Sequence, residues 1–196
     1  MPARPDLGRV SGLVHPSFIE AAKDVSHILT SLKVRHALIG GLAVGAYGYP
    51  RATKDVDFVV GDEAFEHHGP IVSFRSGIPL RIGSVIVDVL ADSGVPSPYG
   101  TRSMGVPIVS LAVLTYLKIK AFRMQDQLDV VELLRHGCDQ DEMAKRLTAN
   151  QREHRFEKLV ARAAGVGSGS PFRGGARGRR VGSSKSKDAR GRDSHG

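Results

Sequence analysis

The sequence has one cysteine, Cys138, no tryptophan, and aromatics at only 6% of its 196 residues. A single cysteine excludes an internal disulfide and a cysteine-rich zinc site. Scarce aromatics argue against a surface that grips nucleic acid mainly by base stacking. No run approaches the ~20 apolar residues of a membrane span, and the opening "MPARPDLGRV" lacks the apolar centre of a secretory signal. These absences lead us to expect a protein of the cytoplasm with no membrane partner. Its hydrophobic fraction of 41% suffices for an ordinary core, and its length suits one domain with an appendage.

Charge is unevenly placed. Of the formal net charge of +8, the stretch from Phe172 onward carries +6, with eight basic residues against two acids. The rest of the chain is nearly balanced. From Gly165 the text is "GVGSGSPFRGGARGRRVGSSKSKDARGRDSHG". It holds too few apolar residues to offset the entropy of ordering, so residues 165–196 are expected to form a disordered basic tail. Either a nonspecific RNA- or phosphate-binding arm or a solubilising extension fits that composition.

Residues 1–15 are expected to be a flexible lead-in. "PSFIEAAKDVSHILTSLKV" then places Phe18, Ala21, Ala22, Val25, Ile28, Leu29 and Leu32 at helical spacing, with Ser17 as candidate N-cap. "HALIG" reads as a short buried strand, "GLAVGAYGY" as a short helix of small residues, and "DVDFVV" as a second strand. "GDEAFEHHG" reads as loop or helical turn, "IVSFR" and "PLRIG" as candidate strands, and "SVIVDVLAD" as a firmer one. Helices follow: one from near Ser110 through "FRMQ", one from Asp126 to Arg135 ended by Gly137, one to Leu147 capped by Asp139 with Glu142, and one over 151–164. The order predicts an α/β (α+β) core over 16–108, with a mixed sheet flanked by helices, and a helical C-terminal part over 109–164.

Three acids stand out. Asp55 and Asp57 are two apart on one strand, so they face the same side. Asp88 sits inside "VIVDVL", where an acid is disfavoured. Carboxylates gathered in a core need a counter-charge, and a hard cation such as Mg²⁺, with its oxygen ligands and its habit of binding substrate phosphates, suits them. The Gly40–Gly41 pair fits the same scheme: it allows a tight backbone approach between a strand and a helix, whose first N–H groups can meet phosphate. Arg51 and Thr53 on the return loop can reach phosphate too.

Plainer readings stand beside these. Arg51 could pair with Asp55 or Glu63, Lys118 could lie on a solvated helix face, and Asp126 and Asp129 could be acids favoured at a helix start. His67–His68 reads as exposed loop, His36 as structural and Cys138 as inert.

Taken in order, "IGGLAVGAYGYPRATKDVDFVV", "VIVDVL" and "LKIKAFRMQDQLDVVELL" resemble the nucleotidyltransferase superfamily, and within it the AbiEii-type toxin group. The resemblance covers roughly residues 17–134. It implies a nucleotidyltransferase fold and Mg²⁺-dependent transfer of a nucleoside monophosphate from an NTP to a hydroxyl. It further implies a metal site at Asp55, Asp57 and Asp88, with Asp88 completing it as a candidate base. Gly40 and Gly41 match the phosphate turn, and Lys118 the helix lysine that neutralises phosphate charge. Arg123, Asp126 and Asp129 match the polar cluster near nucleotide or acceptor. Gln125 departs from the pattern, standing where a Lys often precedes the first of those acids, and the helical part is short for shaping an acceptor site. The toxin relatives make RNA or tRNA the leading acceptor and a cognate antitoxin a candidate partner. A catalytically silent nucleotide- or RNA-binding module and a small-molecule nucleotidyltransferase remain the alternatives. A glycosyltransferase with a metal-binding Asp-x-Asp accounts for Asp55 and Asp57 but not for Asp88 or the glycines.

Overall fold

The computed structural model describes residues 3–66, 79–92, 95, 100–148 and 151–165. The candidate strand "IVSFR", the His67–His68 pair and the tail beyond Gly165 lie outside the described residues.

Helix α1, Pro16–Ser31, begins one residue before the expected cap, because Pro16 can open a helix but cannot donate within it. His15, not Ser17, is the N-cap, its Nδ1 accepting the Ser17 N–H at 3.3 Å. The helix buries Ile19, Ala21, Ala22, Val25 and Leu29. Strand β1, His36–Ile39, and helix α2, Gly40–Ala46, follow without a break, and both are almost wholly buried. Small residues in α2 let it press onto strand β2, Asp55–Val60. Strand β3, Leu80–Ile82, and strand β4, Val85–Ala91, complete a four-stranded sheet.

The sheet order is β1-β2-β4-β3. β1 runs antiparallel to β2, β2 parallel to β4, and β3 antiparallel to β4. The sheet is therefore mixed and flanked by helices, as the alternation of elements implies. The parallel pairing sets Asp57 directly beside Asp88. A two-residue ribbon, β5 (Arg102–Ser103) with β6 (Val106–Pro107), turns at Met104–Gly105, and Ile108 bridges it to Leu38 of β1.

Helix α3, Leu111–Ala121, starts at Ser110, whose Oγ caps the Val113 N–H. It is apolar on nearly all sides and is buried accordingly. It stops sooner than the sequence suggests: Phe122 turns left-handed at φ 55° and α4 runs Met124–Arg135. The cause is Asp126, which lies in the first turn of α4 and accepts the Arg123 N–H at 3.1 Å. Helix α5, Gln140–Arg146, has the expected Asp139 cap on the Glu142 N–H. The last helical stretch opens with a π turn, Arg152–Phe156, and continues as α6, Glu157–Ala163. One apolar core runs from Leu7 through Phe58 and Leu114 to Leu159, joining the sheet to the helical part.

The segment expected as a flexible lead-in is tied down. Leu7–Val10 form a 3-10 turn with both terminal side chains buried, and the turn packs on α2. Val10 fills the space where Gly45 has no side chain. The Leu7 N–H donates to Ser103 Oγ at 2.9 Å. Leu7→Ala is expected to lower unfolding free energy by about 2–5 kcal/mol, measured by urea denaturation. A loose lead-in would leave it unchanged.

Candidate functional site

The two inner strands of the sheet, β2 and β4, run side by side and carry the three acids. One carboxylate oxygen from each of Asp55, Asp57 and Asp88 lies within 4.8 Å of the others. Asp55 and Asp57 are half-buried, as a strand lining a core requires. Asp88 is exposed, contrary to the expectation of a buried acid. The reason is the alternation of β4, which buries Val85 and Val87 and turns Asp88 and Leu90 outward.

Asp57 feels the crowd most. Burial, then the neighbouring charges of Asp55 and Asp88, push its pKa up to about 6, while Lys118 and Arg123 pull it back. Three converging carboxylates with a raised acid among them form a hard-oxygen donor set suited to a divalent cation such as Mg²⁺, and the exposure of Asp88 leaves room for the waters that Mg²⁺ keeps.

Gly40 closes the other side. It adopts φ +69°, and a Cβ there would sit inside the Asp57 carboxylate. Gly41 is similarly constrained, since a Cβ would lie 2.7 Å from Thr53 Oγ1 and 3.3 Å from Arg51 Nη1. Both glycines thus exist to let side chains of the return loop and of β2 approach the backbone. Because α2 is only seven residues long, its dipole adds little to that approach. Thr53 directs its hydroxyl at Asp55, reaching the backbone oxygen and Oδ1 at 3.1 Å each.

The expected phosphate-binding cations are held by acids from α4. Arg51 makes a bidentate pair with Asp129, Nε to Oδ1 and Nη2 to Oδ2, both at 2.8 Å. Lys118 is 8% exposed, not on a solvated face, and its Nζ contacts Asp126 Oδ1 at 3.0 Å and Asp129 Oδ2 at 2.9 Å. Arg123, mostly exposed, reaches Asp126 Oδ2 at 2.8 Å. Gln125 donates to Asp129 Oδ1 at 3.0 Å. Burial alone would raise both acids. The hydrogen bonds of Arg123 and Lys118 to Asp126, and of Arg51, Gln125 and Lys118 to Asp129, outweigh it and hold both below the usual carboxylate range. Asp126 therefore meets the site through Lys118 and Arg123.

Sequence reasoning did not find the Arg51–Asp129 partnership, which spans 78 residues. The available signal was the i,i+3 spacing of Asp126 and Asp129, which puts both on one helix face. Glu63, once a candidate for Arg51, instead pairs with Arg35 at 2.9 Å. His36 is buried between Ser26 Oγ and the Val34 carbonyl, and burial pushes the Cys138 thiol up to about 11. Both suit structural roles.

No known protein family matches the sequence, and no curated protein does. Among solved structures, an antigenic nucleotidyltransferase-like protein from Paracoccidioides brasiliensis is similar over 79% of this chain and 95% of its own, with TM-score 0.48 and 17% identity.

Two measurements follow from the geometry. A metal ion needs Asp57 ionised, so Mn²⁺ affinity should fall about tenfold per pH unit below about 6, read by titration calorimetry. Affinity independent of pH between 5 and 7 would contradict the site. Gly40→Ala is expected to cost at least about 1–2 kcal/mol through its left-handed backbone and to weaken Mn²⁺ binding as the Asp57 carboxylate shifts; wild-type binding would count against the close approach.

Proposed function

We propose that the protein is a nucleotidyltransferase that moves a nucleoside monophosphate from an NTP to a hydroxyl acceptor. The observation that carries this reading is the side-by-side placement of Asp57 and Asp88 on parallel strands, with Asp55 within 4.8 Å and Gly40 against Asp57. A glycosyltransferase with only an Asp-x-Asp would not need the third acid or the glycine contact.

Asp55, Asp57 and Asp88 would hold Mg²⁺, which supplies charge neutralisation for a triphosphate. Arg51, Thr53, Gly40 and Gly41 form the wall next to the acids, and there the phosphates are bound. Lys118 and Arg123 add positive charge on the α3–α4 side. Asp88, the exposed acid, faces incoming acceptor and takes the hydroxyl proton. The acceptor oxygen bonds to the α-phosphorus, the bond from that phosphorus to the bridging oxygen breaks, and pyrophosphate leaves. The protein's contribution is orientation and fixed charge.

RNA or tRNA is the acceptor we favour. The basic C-terminal stretch supports it, since eight cations against two acids attract a polyanion without sequence preference. The resemblance to the AbiEii-type group extends the reading to a toxin with a cognate antitoxin, acting in the cytoplasm. No described helix is long and apolar enough to cross a membrane.

The test is label transfer from each α-labelled NTP, with Mg²⁺, into total cellular RNA and protein. Wild type is expected to label one fraction, Asp57→Asn none, and Lys118→Ala about 10²–10³-fold less. Equal labelling by Asp57→Asn would defeat the proposal. Metal-independent NTP binding without labelling would favour a silent binding module. Labelling only of small molecules would move the acceptor away from RNA.

A further inference from the structure

Asp129 is fully buried, yet it touches none of the three acids that define the site. It accepts from Arg51 Nε and Nη2, from Gln125 and from Lys118, on two oxygens. We propose that Asp129 is a positioning residue, which by its fork with Arg51 turns the Arg51 Nη1 toward the Gly40–Gly41 turn to meet the phosphates of a nucleoside triphosphate. The inference rests on the nucleotidyl-transfer reading and adds to it the residue that orients the phosphate contact.

The geometry leaves Arg51 little choice. A guanidinium has five N–H groups in a fixed plane. Asp129 takes one from Nε and one from Nη2, and the Ala52 carbonyl takes one from Nη1 at 3.0 Å. With the plane so fixed, Nη1 lies against Gly41, where a Cβ would come within 3.3 Å of it. Gly40, the residue before it, abuts Asp57. Nη1 therefore lies by the same two-glycine turn as the acids, with one N–H beyond that given to Ala52.

The same carboxylate places a second cation. Lys118 Nζ sits 2.9 Å from Oδ2, the oxygen that also receives Arg51 Nη2. Two cations that share one oxygen repel each other, and the carboxylate's negative charge offsets that repulsion where a neutral amide would not. Asp126 has a different task, since its other partner, Arg123, is 79% exposed. Of these two acids, Asp129 is the one that ties Arg51, on the return loop after α2, to Lys118 of α3.

Positioning and mere charge balance are separable. A glutamate at 129 keeps the charge but moves the fork by one methylene. The experiment measures two affinities in each variant: Mn²⁺ alone, by electron paramagnetic resonance, and non-hydrolysable α,β-methylene analogues of ATP, CTP, GTP and UTP in saturating Mn²⁺. Asp129→Asn, Asp129→Glu and Arg51→Lys are each expected to hold Mn²⁺ within about twofold of wild type. Each should bind the preferred analogue about 10- to 100-fold more weakly, the worth of one charge-assisted hydrogen bond. Asp129→Asn made in the Arg51→Lys background should cost no more than about twofold further, because the two act as one unit.

Wild-type analogue affinity in Asp129→Glu overturns positioning and leaves charge balance. Equal loss of Mn²⁺ and analogue binding overturns it too, as does multiplication of the two single losses. Failure of both Asp129 variants to fold assigns the residue to folding alone and overturns the proposal. Wild type that binds Mn²⁺ but none of the four analogues overturns the transfer reading itself, and the role of Asp129 with it.

Discussion

A single buried carboxylate gathers the polar groups that stand beside the acid triad. Asp129 receives a guanidinium from the loop before β2, an ammonium from α3 and an amide from its own helix. Taking three charged groups out of water is costly, and removing one partner of such a set is commonly worth about 3–5 kcal/mol in lost stability. The structure meets that cost by satisfying every group: among the described residues, no buried side-chain nitrogen or oxygen lacks a hydrogen-bond partner. The elbow at Phe122 and Arg123 follows from the same demand. α3 must deliver Lys118 and α4 must return Asp126 and Asp129 to it, which a straight helix through Gln125 would not allow. Arg155 steadies the turn from outside, with Nη1 on the Ile119 and Lys120 carbonyls and its guanidinium 4.9 Å from the centre of the Phe122 ring.

The acid triad is the opposite case. There the charges are alike, and the fold forces them together through the register of β2 and β4. The raised Asp57 shows the cost. A balanced network lies beside an unbalanced one: the first fixes cations, and the second gathers carboxylates that could hold a divalent ion. Lys118 and Arg123 connect the two, since both draw Asp57 back toward its ionised form.

Much of this was legible in the sequence, for identifiable reasons. The strand pair and its acids were readable because two-residue periodicity decides which face a side chain takes, and Asp55 and Asp57 share it. The Asp139 cap was readable because capping is local. Contacts distant in sequence were not. Nothing in "YPRATKD" says that Arg51 will meet Asp129 rather than Glu63, since both are acids at a distance that only the fold sets. The burial of Lys118 was hidden by Lys120 and Arg123 nearby, although the apolar character of α3 on nearly all sides was the clue that one of its lysines would go inside. The exposure of Asp88 was missed because "VIVDVL" looks like a strand buried on both faces, whereas β4 turns Leu90 outward as well. The packed lead-in escaped notice because Leu7 and Val10 form one 3-10 turn, too short for any periodicity.

The measurement that bears most directly on the central claim is a crystal structure of the protein soaked with Mn²⁺ and a non-hydrolysable NTP, with anomalous data at the manganese edge. The account predicts a manganese peak bracketed by Asp55, Asp57 and Asp88, with phosphate oxygens against Gly41 and Arg51 Nη1. Nucleotide bound elsewhere, or a triad free of manganese while other sites fill, would contradict it.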